Sequence, residues 1–279
     1  MTAAAPGGRL VVCPTPIGNL EDVTLRVLAA LRDADVVACE DTRRTGILLD
    51  RYGVSAPLVS YHEHNEDRRA SELVERMRHG DVVALVSDAG MPLVSDPGFV
   101  LVRSAVAAGL AVEVLPGPSA VLAALVASAL PSDSWRFVGF LPRKQGDLRR
   151  VLEEPGGTLV AFESPRRVPA TLEVLAELDA DRAVAVCREL TKAHEEVVRG
   201  TAAELAQRYA GAPPRGEVVL VVAPAAAAPP GDAGAAAQAL ARLVDAGARA
   251  RPAAAVVGEM TGLGANAVYR AYTELRSQE

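Results

Sequence analysis

Ser87-Asp-Ala-Gly-Met-Pro-Leu-Val-Ser-Asp-Pro-Gly98 follows directly on the apolar run Val82-Val-Ala-Leu-Val86. A run with no polar alternation predicts a strand buried on both faces, as in parallel sheets covered by helices. Ligands in such sheets bind beyond the carboxyl ends of the strands, so a Gly/Pro/Asp loop placed there reads first as a binding loop. Pro92 and Pro97 fix φ, and Gly90 and Gly98 permit unusual turns. Asp88 and Asp96 offer acceptors to a ribose hydroxyl, an amine or backbone amides.

Outward from this loop the same pattern repeats. Leu10–Val12, Asp35–Cys39 and Val112–Leu115 read as further strands, with one-face helical spacing between them at Thr24, Val27, Leu28 and Leu31, at Leu73, Val74 and Met77, and at Leu101, Val102, Ala105 and Val106. Gly80 and Gly109 stand where helix C-caps belong. Strand and helix in alternation predict a parallel sheet covered on both faces over residues 9–117.

A second α/β domain is expected over residues 118–223. Its strands are predicted at Arg136–Phe140, Thr158–Phe162, Ala183–Cys187, Glu196–Arg199 and Glu217–Val222, with helices at Val168–Leu178 and Ala202–Tyr209. The closer strand spacing predicts a mixed sheet with antiparallel pairs. Residues 224–239, rich in Pro, Ala and Gly, read as a linker, and residues 240–279 as a helical tail whose Thr261-Gly-Leu-Gly264 turn suggests a helix-turn-helix module. A chain of 279 residues accommodates about two such domains.

Composition narrows the function classes. With 50% hydrophobic residues and a formal charge of −6, the chain carries no global basic footprint, so any nucleic-acid contact must come from local clusters. No apolar stretch is long and uncharged enough to span a bilayer, and residues 1–9 lack the apolar core of a signal peptide, so a soluble, cytoplasmic protein is expected. Cys13, Cys39 and Cys187 are scattered, without CxxC or a histidine at ligand spacing. Buried free thiols are expected, and neither a disulfide framework nor a metal site.

Two more loops share the setting of the first. Pro14-Thr-Pro-Ile-Gly-Asn19 follows the first strand, but its two prolines remove amide donors where a dinucleotide site needs them, so a nucleoside without phosphates fits better. Pro116-Gly-Pro-Ser-Ala120 follows the last strand of the sheet and offers the Ser119 hydroxyl to cap the next helix or to bind ligand. Three shaped loops at one sheet edge predict one cleft.

TPIGNLEDVTLR (15–26), CEDTRRTGILLDRYG (39–53), SYHEHNE (60–66), SDAGMPLVSDPG (87–98), PGPSA (116–120), FVGFLPRK (137–144), FESPRR (162–167) and RELTKAHEEVVRG (188–200) together resemble the ribosomal RNA small subunit methyltransferase I family, within the tetrapyrrole methylase superfamily. The resemblance implies two α/β domains with S-adenosylmethionine in the cleft between them, usually as a homodimer. The implied activity is 2'-O-methylation of a cytidine ribose in the decoding region of 16S rRNA or the small ribosomal subunit, giving S-adenosylhomocysteine. It also implies that Pro16, Ile17, Asp88, Ala89, Gly90, Met91, Ser119, Ala120 and Phe162 line the cofactor, and that Gly216, Glu217 and Val218 close its adenine side. The superfamily's pigment-modifying members usually carry GxGxGD and GDP in the two loops that here read TPIGN and SDAGMP, a departure that favours RNA over corrin substrates.

A 2'-hydroxyl is a poor nucleophile until deprotonated, so a positioned base is expected. Glu40, Asp41, His62 and Glu163 are the candidates; Asp41 reads equally as the cap of a helix starting at Thr42, and His62 as a packed side chain. Phosphate contacts are expected from Arg43 and Arg44, from Arg143, Lys144, Arg149 and Arg150, and from Arg166 and Arg167. The competing readings are a tetrapyrrole or other small-molecule methyltransferase, and a non-catalytic ribosome-assembly factor.

Overall fold

The structure is a computed structural model describing residues 7–225 and 232–277. The chain divides after Pro224 into two compact units.

The first unit opens with β1 (Arg9–Cys13), α1 (Leu25–Asp33), β2 (Val36–Cys39), α2 (Thr42–Arg51), β3 (Leu58–Ser60), α3 (Glu66–Arg78), β4 (Val82–Val86), α4 (Phe99–Ala107) and β5 (Ala111–Val114). All pairs are parallel, in the order β3-β2-β4-β1-β5. Leu10, Val12, Val36, Ala38, Val83 and Leu85 pack with Leu73 and Met77 of α3 and Leu101 of α4. Val11, Cys13, Val37, Cys39, Ala84 and Val86 pack with Val27 and Leu31 of α1 and Leu49 of α2. Both faces are thus covered, which is why these strands are apolar without alternation. The chain leaves β1 for β2 on one face and β4 for β5 on the other, so the loops after these adjacent strands diverge at the switch point where open sheets bind ligands.

The same unit continues with α5 (Ala120–Ser128), β6 (Trp135–Phe140), α6 (Gln145–Glu153), β7 (Thr158–Glu163), α7 (Val168–Leu178), β8 (Ala183–Arg188), β9 (Glu196–Thr201), α8 (Ala202–Tyr209) and β10 (Val218–Val222). The order is β6-β7-β10-β8-β9; β6 and β7 are parallel and the other pairs antiparallel, so the sheet is mixed as expected. Helices α7 and α8 keep their expected bounds. Thr201 ends β9 and starts α8 at once, because its hydroxyl accepts from the Glu204 N–H while the Glu204 carboxylate accepts from the Thr201 N–H. One face of this sheet packs on α6, α7 and α8. On the other, Val160, Ala185, Val219 and Val221 meet Val121, Ala124 and Leu125 of α5 and Ile17 from the loop after β1.

Two elements differ from expectation. Strand β3 has three half-buried residues at the sheet edge, too few for a periodic signal. Helix α6 lies where the sequence reads as a cation cluster, yet Leu148 and Leu152 recur one helical turn apart and are both buried. Cys13, Cys39 and Cys187 are all free and buried.

The second unit holds α9 (Ala233–Asp245), α10 (Ala250–Thr261) and α11 (Ala265–Arg276) around Ala236, Leu240, Ala254, Val257 and Val268. The stretch read as a linker is therefore shorter than expected: it is helical from Ala233 onward, and residues 226–231 lie outside the described residues. Alanine is low in complexity but is also the strongest helix former. A Cβ on Gly258 would come 2.7 Å from the Leu263 carbonyl oxygen, so glycine there permits the tight α10–α11 turn. No helix among the described residues is long and apolar enough to cross a membrane.

Arg182 ties the second sheet to its helices. Although buried, its guanidinium donates from Nε to the Ala223 carbonyl at 2.8 Å and from Nη1 to the Leu152 carbonyl at 2.6 Å. Arg182→Met keeps the bulk but strands one buried and one part-buried carbonyl, so urea denaturation should show a loss of about 3 kcal/mol.

Candidate active site

Hydrogen bonding joins the loop after β1 to the loop after β4. The Thr15 N–H donates to the Gly90 carbonyl at 2.8 Å, the Gly90 N–H returns a bond to the Thr15 carbonyl at 2.9 Å, and Thr15 Oγ1 donates to the Ser87 carbonyl at 2.9 Å. This spends the one amide between Pro14 and Pro16, which leaves no room for the amide cradle a pyrophosphate requires. Gly90 adopts φ 81°, and a Cβ there would press to 3.3 Å on Ile17. Further along the same loop, Leu93 and Ser95 hold left-handed backbone at φ 73° and 66°.

The opposite wall comes from the second sheet. Phe162 at the end of β7 packs edge-on to Phe137 at 5.0 Å and against Phe140 at 5.4 Å. The turn before β10 is fastened by ions. Glu189 Oε1 accepts from the Glu217 N–H and from Lys192 Nζ, both at 2.9 Å, and Lys192 also reaches the Glu217 carboxylate at 3.0 Å. These bonds hold the Glu189 carboxyl below its ordinary range. Gly216, at φ 85°, packs so closely on Glu189 that a Cβ would lie 2.3 Å from its carboxyl. The first loop reaches across to this wall, where the Asn19 N–H donates to Thr191 Oγ1 at 3.0 Å.

Between the walls lies a cleft of about 410 Å³, within the usual range of small-molecule sites. Ile17, Ala89, Gly90, Met91, Ser119, Ala120, Phe162, Gly216, Glu217 and Val218 line it. Pro16 and Asp88 do not, and instead border a separate cavity of about 50 Å³. Asp88 faces β2, accepting from the Asp41 N–H at 3.0 Å and pairing with Arg44 at 3.5 Å. Its role is to lash the ends of β2 and β4 together. The cleft also takes Val94, Ser95, Cys187 and Leu190, none of them among the expected cofactor residues, and Asp96, expected only as an acceptor in its loop.

Burial first, and then the charges of Glu40 and Asp88, push the Asp96 carboxyl up to about 7. The cleft thiol of Cys187 is pushed up to about 11 by burial, which leaves it inert.

The four candidate bases fare differently. Asp41 caps α2: its Oδ1 accepts from the Arg43 N–H at 2.9 Å, the Arg43 guanidinium clasps the same carboxylate, and these bonds hold its pKa at about 2. A carboxylate so committed and so acidic, outside the cleft, is a poor base. Glu40 is exposed at the end of β2, its carboxyl raised by partial burial and by Asp88 and Glu63. His62 also stands outside the cleft; its Nε2 lies 3.2 Å from Asn65 Nδ2 and its buried Nδ1 finds no hydrogen-bond partner among the described residues. Glu163 does line the cleft, but it is buried and accepts from the Ser164 N–H and Thr171 Oγ1, both at 2.7 Å, beside Arg167 at 3.4 Å. It serves to fix the end of β7.

The cations divide as well. Arg167 turns inward to donate to the Leu141 and Pro142 carbonyls, which removes it from the set available to phosphate. Arg149 is paired with Glu177 and Arg150 with Asp147, while Arg43 and Arg44 are exposed beside Asp41 and Asp88. Arg143, Lys144 and Arg166 are exposed and enter no ion pair among the described residues. All three follow closely on the cleft residues Phe140 and Pro165. Among the described residues no group of His, Cys, Asp and Glu is arranged to hold a metal ion.

The chemistry of the cleft suits an adenosyl group bearing an amino acid. Met91, Phe162 and Leu190 give apolar walls for a purine. Gly90 and Gly216 allow backbone to approach closely, and Ser119 and Ala120 bring the start of α5 to the same space, where helix-start amides favour a carboxylate.

Comparison with known proteins agrees with this geometry. Residues 9–206 match the family model of Tetrapyrrole (Corrin/Porphyrin) Methylases. The chain is 47% identical over 272 residues to the Ribosomal RNA small subunit methyltransferase I of Mesorhizobium japonicum, covering 96% of this chain and 92% of that protein. It is 46% identical to the protein of the same name from Micromonospora olivasterospora, covering 95% and 86%. Among solved structures, the uroporphyrin-III C-methyltransferase of Thermus thermophilus complexed with S-adenosyl homocysteine superposes with a TM-score of 0.56 at 22% identity, over 77% of this chain and 97% of that one, a likeness of fold. Identity of 47% over 96% of the chain and the match to the family model lead to one assignment: the chain belongs to the tetrapyrrole methylase family and, within it, to the ribosomal RNA small subunit methyltransferase I group.

Proposed function

We infer that the protein methylates the ribose 2'-hydroxyl of a cytidine in the decoding region of 16S rRNA, with S-adenosylmethionine as donor and S-adenosylhomocysteine as product. One observation carries the reading: the chain is twice as similar to ribosomal RNA methyltransferases over nearly its whole length as to a pigment-modifying enzyme of the same fold. The S-adenosyl homocysteine bound in that enzyme's structure supports the choice of cofactor.

When bound, the cofactor supplies an electrophilic methyl on a positively charged sulfur. The protein's part is alignment. Thr15 and Gly90 fix one wall, Glu189 and Lys192 fix the other, and the apolar side chains of Met91, Phe162 and Leu190 keep water out. Holding nucleophile, methyl and leaving sulfur in line substitutes for entropy that free reactants would lose on meeting, an effect worth up to ~7–11 kcal/mol in well-oriented systems.

Arg143, Lys144 and Arg166 provide the local positive charge that RNA phosphates need on an acidic protein, with Arg43 and Arg44 as further contacts. The acceptor is the rRNA or the small subunit that contains it, and the place of action is the cytoplasm. A homodimer accords with apolar side chains left outside: Leu122 and Val126 on the outer side of α5, and Val114 on the edge strand β5. The salt bridge from Arg26 to Glu113, at 2.9 Å, sets the start of α1 and its exposed Leu25 beside β5.

The decisive assay gives the protein labelled S-adenosylmethionine and offers undermethylated small subunits, naked 16S rRNA and a corrin precursor. 2'-O-methylcytidine should appear in digests of the RNA; label in the corrin precursor alone would refute the reading.

Ala120→Leu fills the cleft from the first turn of α5 and should weaken cofactor binding by at least about tenfold, as measured by calorimetry, with the urea midpoint unchanged.

The triple variant Arg143→Ala, Lys144→Ala, Arg166→Ala should weaken RNA binding at every salt concentration. The slope of log affinity against log salt should become shallower by about 2–3. An unchanged slope would place the RNA elsewhere.

A further inference from the structure

Asp96 lies in the cleft wall and enters no ion pair among the described residues. Its position is imposed at a cost. Leu93 and Ser95, neither of them glycine, both hold left-handed backbone within three positions of it, a conformation that costs on the order of 1 kcal/mol or more per residue. Gly98 closes the loop at φ 137°, so tightly packed that a Cβ would come within 2.9 Å of both Leu85 and Leu93. A loop required only to turn would take glycine at the strained positions. This one is forced into a single shape, and the shape delivers a carboxylate to the cleft.

Its neighbours are anionic or already engaged. The charges of Glu40 at the end of β2 and of Asp88 after β4 act on Asp96, while the Ser87 hydroxyl donates to the Gly90 carbonyl at 3.0 Å. Arg44 is turned toward Asp88, and His62 and Glu63 act on Glu40. Across the cleft, Glu163 is held by Thr171 and Arg167, and Glu217 by Lys192. Asp96 is thus the acid of the cleft left uncommitted by a cation.

We propose that Asp96 is the catalytic base of the methyl transfer inferred above: its carboxylate takes the proton of the 2'-hydroxyl as the new O–C bond forms. The S–C bond breaks in the same displacement, its electron pair stays on sulfur, and the proton on Asp96 passes to water after the product leaves. The role rests on the RNA methyltransferase reading.

The electrostatics of the cleft add a second consequence. With the cleft empty, Asp96 is about half protonated near pH 7. A positive sulfonium in the same space favours the carboxylate, whereas a neutral thioether does not. Asp96 is therefore deprotonated when the donor is in place and regains its affinity for a proton once the methyl has gone. By linkage, S-adenosylmethionine should bind more tightly as pH rises through about 7 and release a proton on binding. S-adenosylhomocysteine should do neither.

The test uses the wild-type protein, Asp96→Asn and Asp96→Glu. Calorimetric titrations with both cofactor forms at pH 6, 7 and 8, in buffers of different ionisation enthalpy, count the protons. Single-turnover transfer to undermethylated small subunits is followed over the same pH range. Asp96→Asn should keep its affinity for S-adenosylhomocysteine within about threefold, lose the proton release, and slow transfer by about 10²-fold to 10⁴-fold. Asp96→Glu should recover part of the rate. At limiting S-adenosylmethionine the wild-type rate should climb with pH and level off above about 7, at saturating donor the plateau should begin at lower pH, and the Asn variant should stay flat in both.

Transfer by Asp96→Asn within about threefold of wild type at pH 8 would overturn the proposal, since loss of a general base costs far more. So would a tenfold or greater loss of S-adenosylhomocysteine affinity (roughly 1.4 kcal/mol), which would make Asp96 a cofactor ligand. If the wild type binds both forms but methylates no RNA, the RNA reading falls and this role falls with it.

Discussion

Two backbone hydrogen bonds between Thr15 and Gly90 hold the loop after β1 against the loop after β4, and the cleft depends on them. Parallel strands send their connecting chains to opposite faces at a switch point, which leaves the loops there free to splay. The paired amides and the Thr15 hydroxyl on the Ser87 carbonyl cancel that freedom. Once the two loops are joined, Ile17 is fixed as a bridge to α5 and the second sheet, and Gly90, Met91 and Asp96 face one space.

The fold was largely legible because most of its elements are long enough to carry a period. Val82–Val86 is a strand at both of its expected ends, and α7 and α8 begin and end where their apolar spacing says. What escaped were elements whose signal is short or masked. Strand β3 pairs only with β2 at the sheet edge, so three residues suffice. In α6 the charges of Arg149 and Arg150 are conspicuous, whereas Leu148 and Leu152 are not. The alanine-rich start of α9 looks like a linker until Ala236, Ala237 and Leu240 are seen to bury one face.

The site was legible as a set of loops and much less so as a set of roles. Asp88 and Asp96 belong to one loop and are chemically identical, yet one lashes β2 to β4 and the other faces the cleft. Loops have no period, so only the fold separates them. The same ambiguity governs Asp41, since an acid between a strand and a helix satisfies the requirements of a cap and of a catalytic carboxylate alike. Glu163, a cleft residue by sequence and by structure, is neutralised as a reactant by its own hydrogen bonds.

Helix α5 has no face made for water. Its inner side chains Val121, Ala124 and Leu125 are core, its outer ones Leu122 and Val126 are exposed, and its first residues form the cleft wall. Nine residues therefore answer to two neighbourhoods at once. A partner that stiffens the helix from outside changes the free energy of ordering its first turn around a ligand, and the ligand returns the same factor to the partner. Any assembly through that outer face and occupancy of the cleft would be two readings of a single equilibrium, with α5 as the element they share.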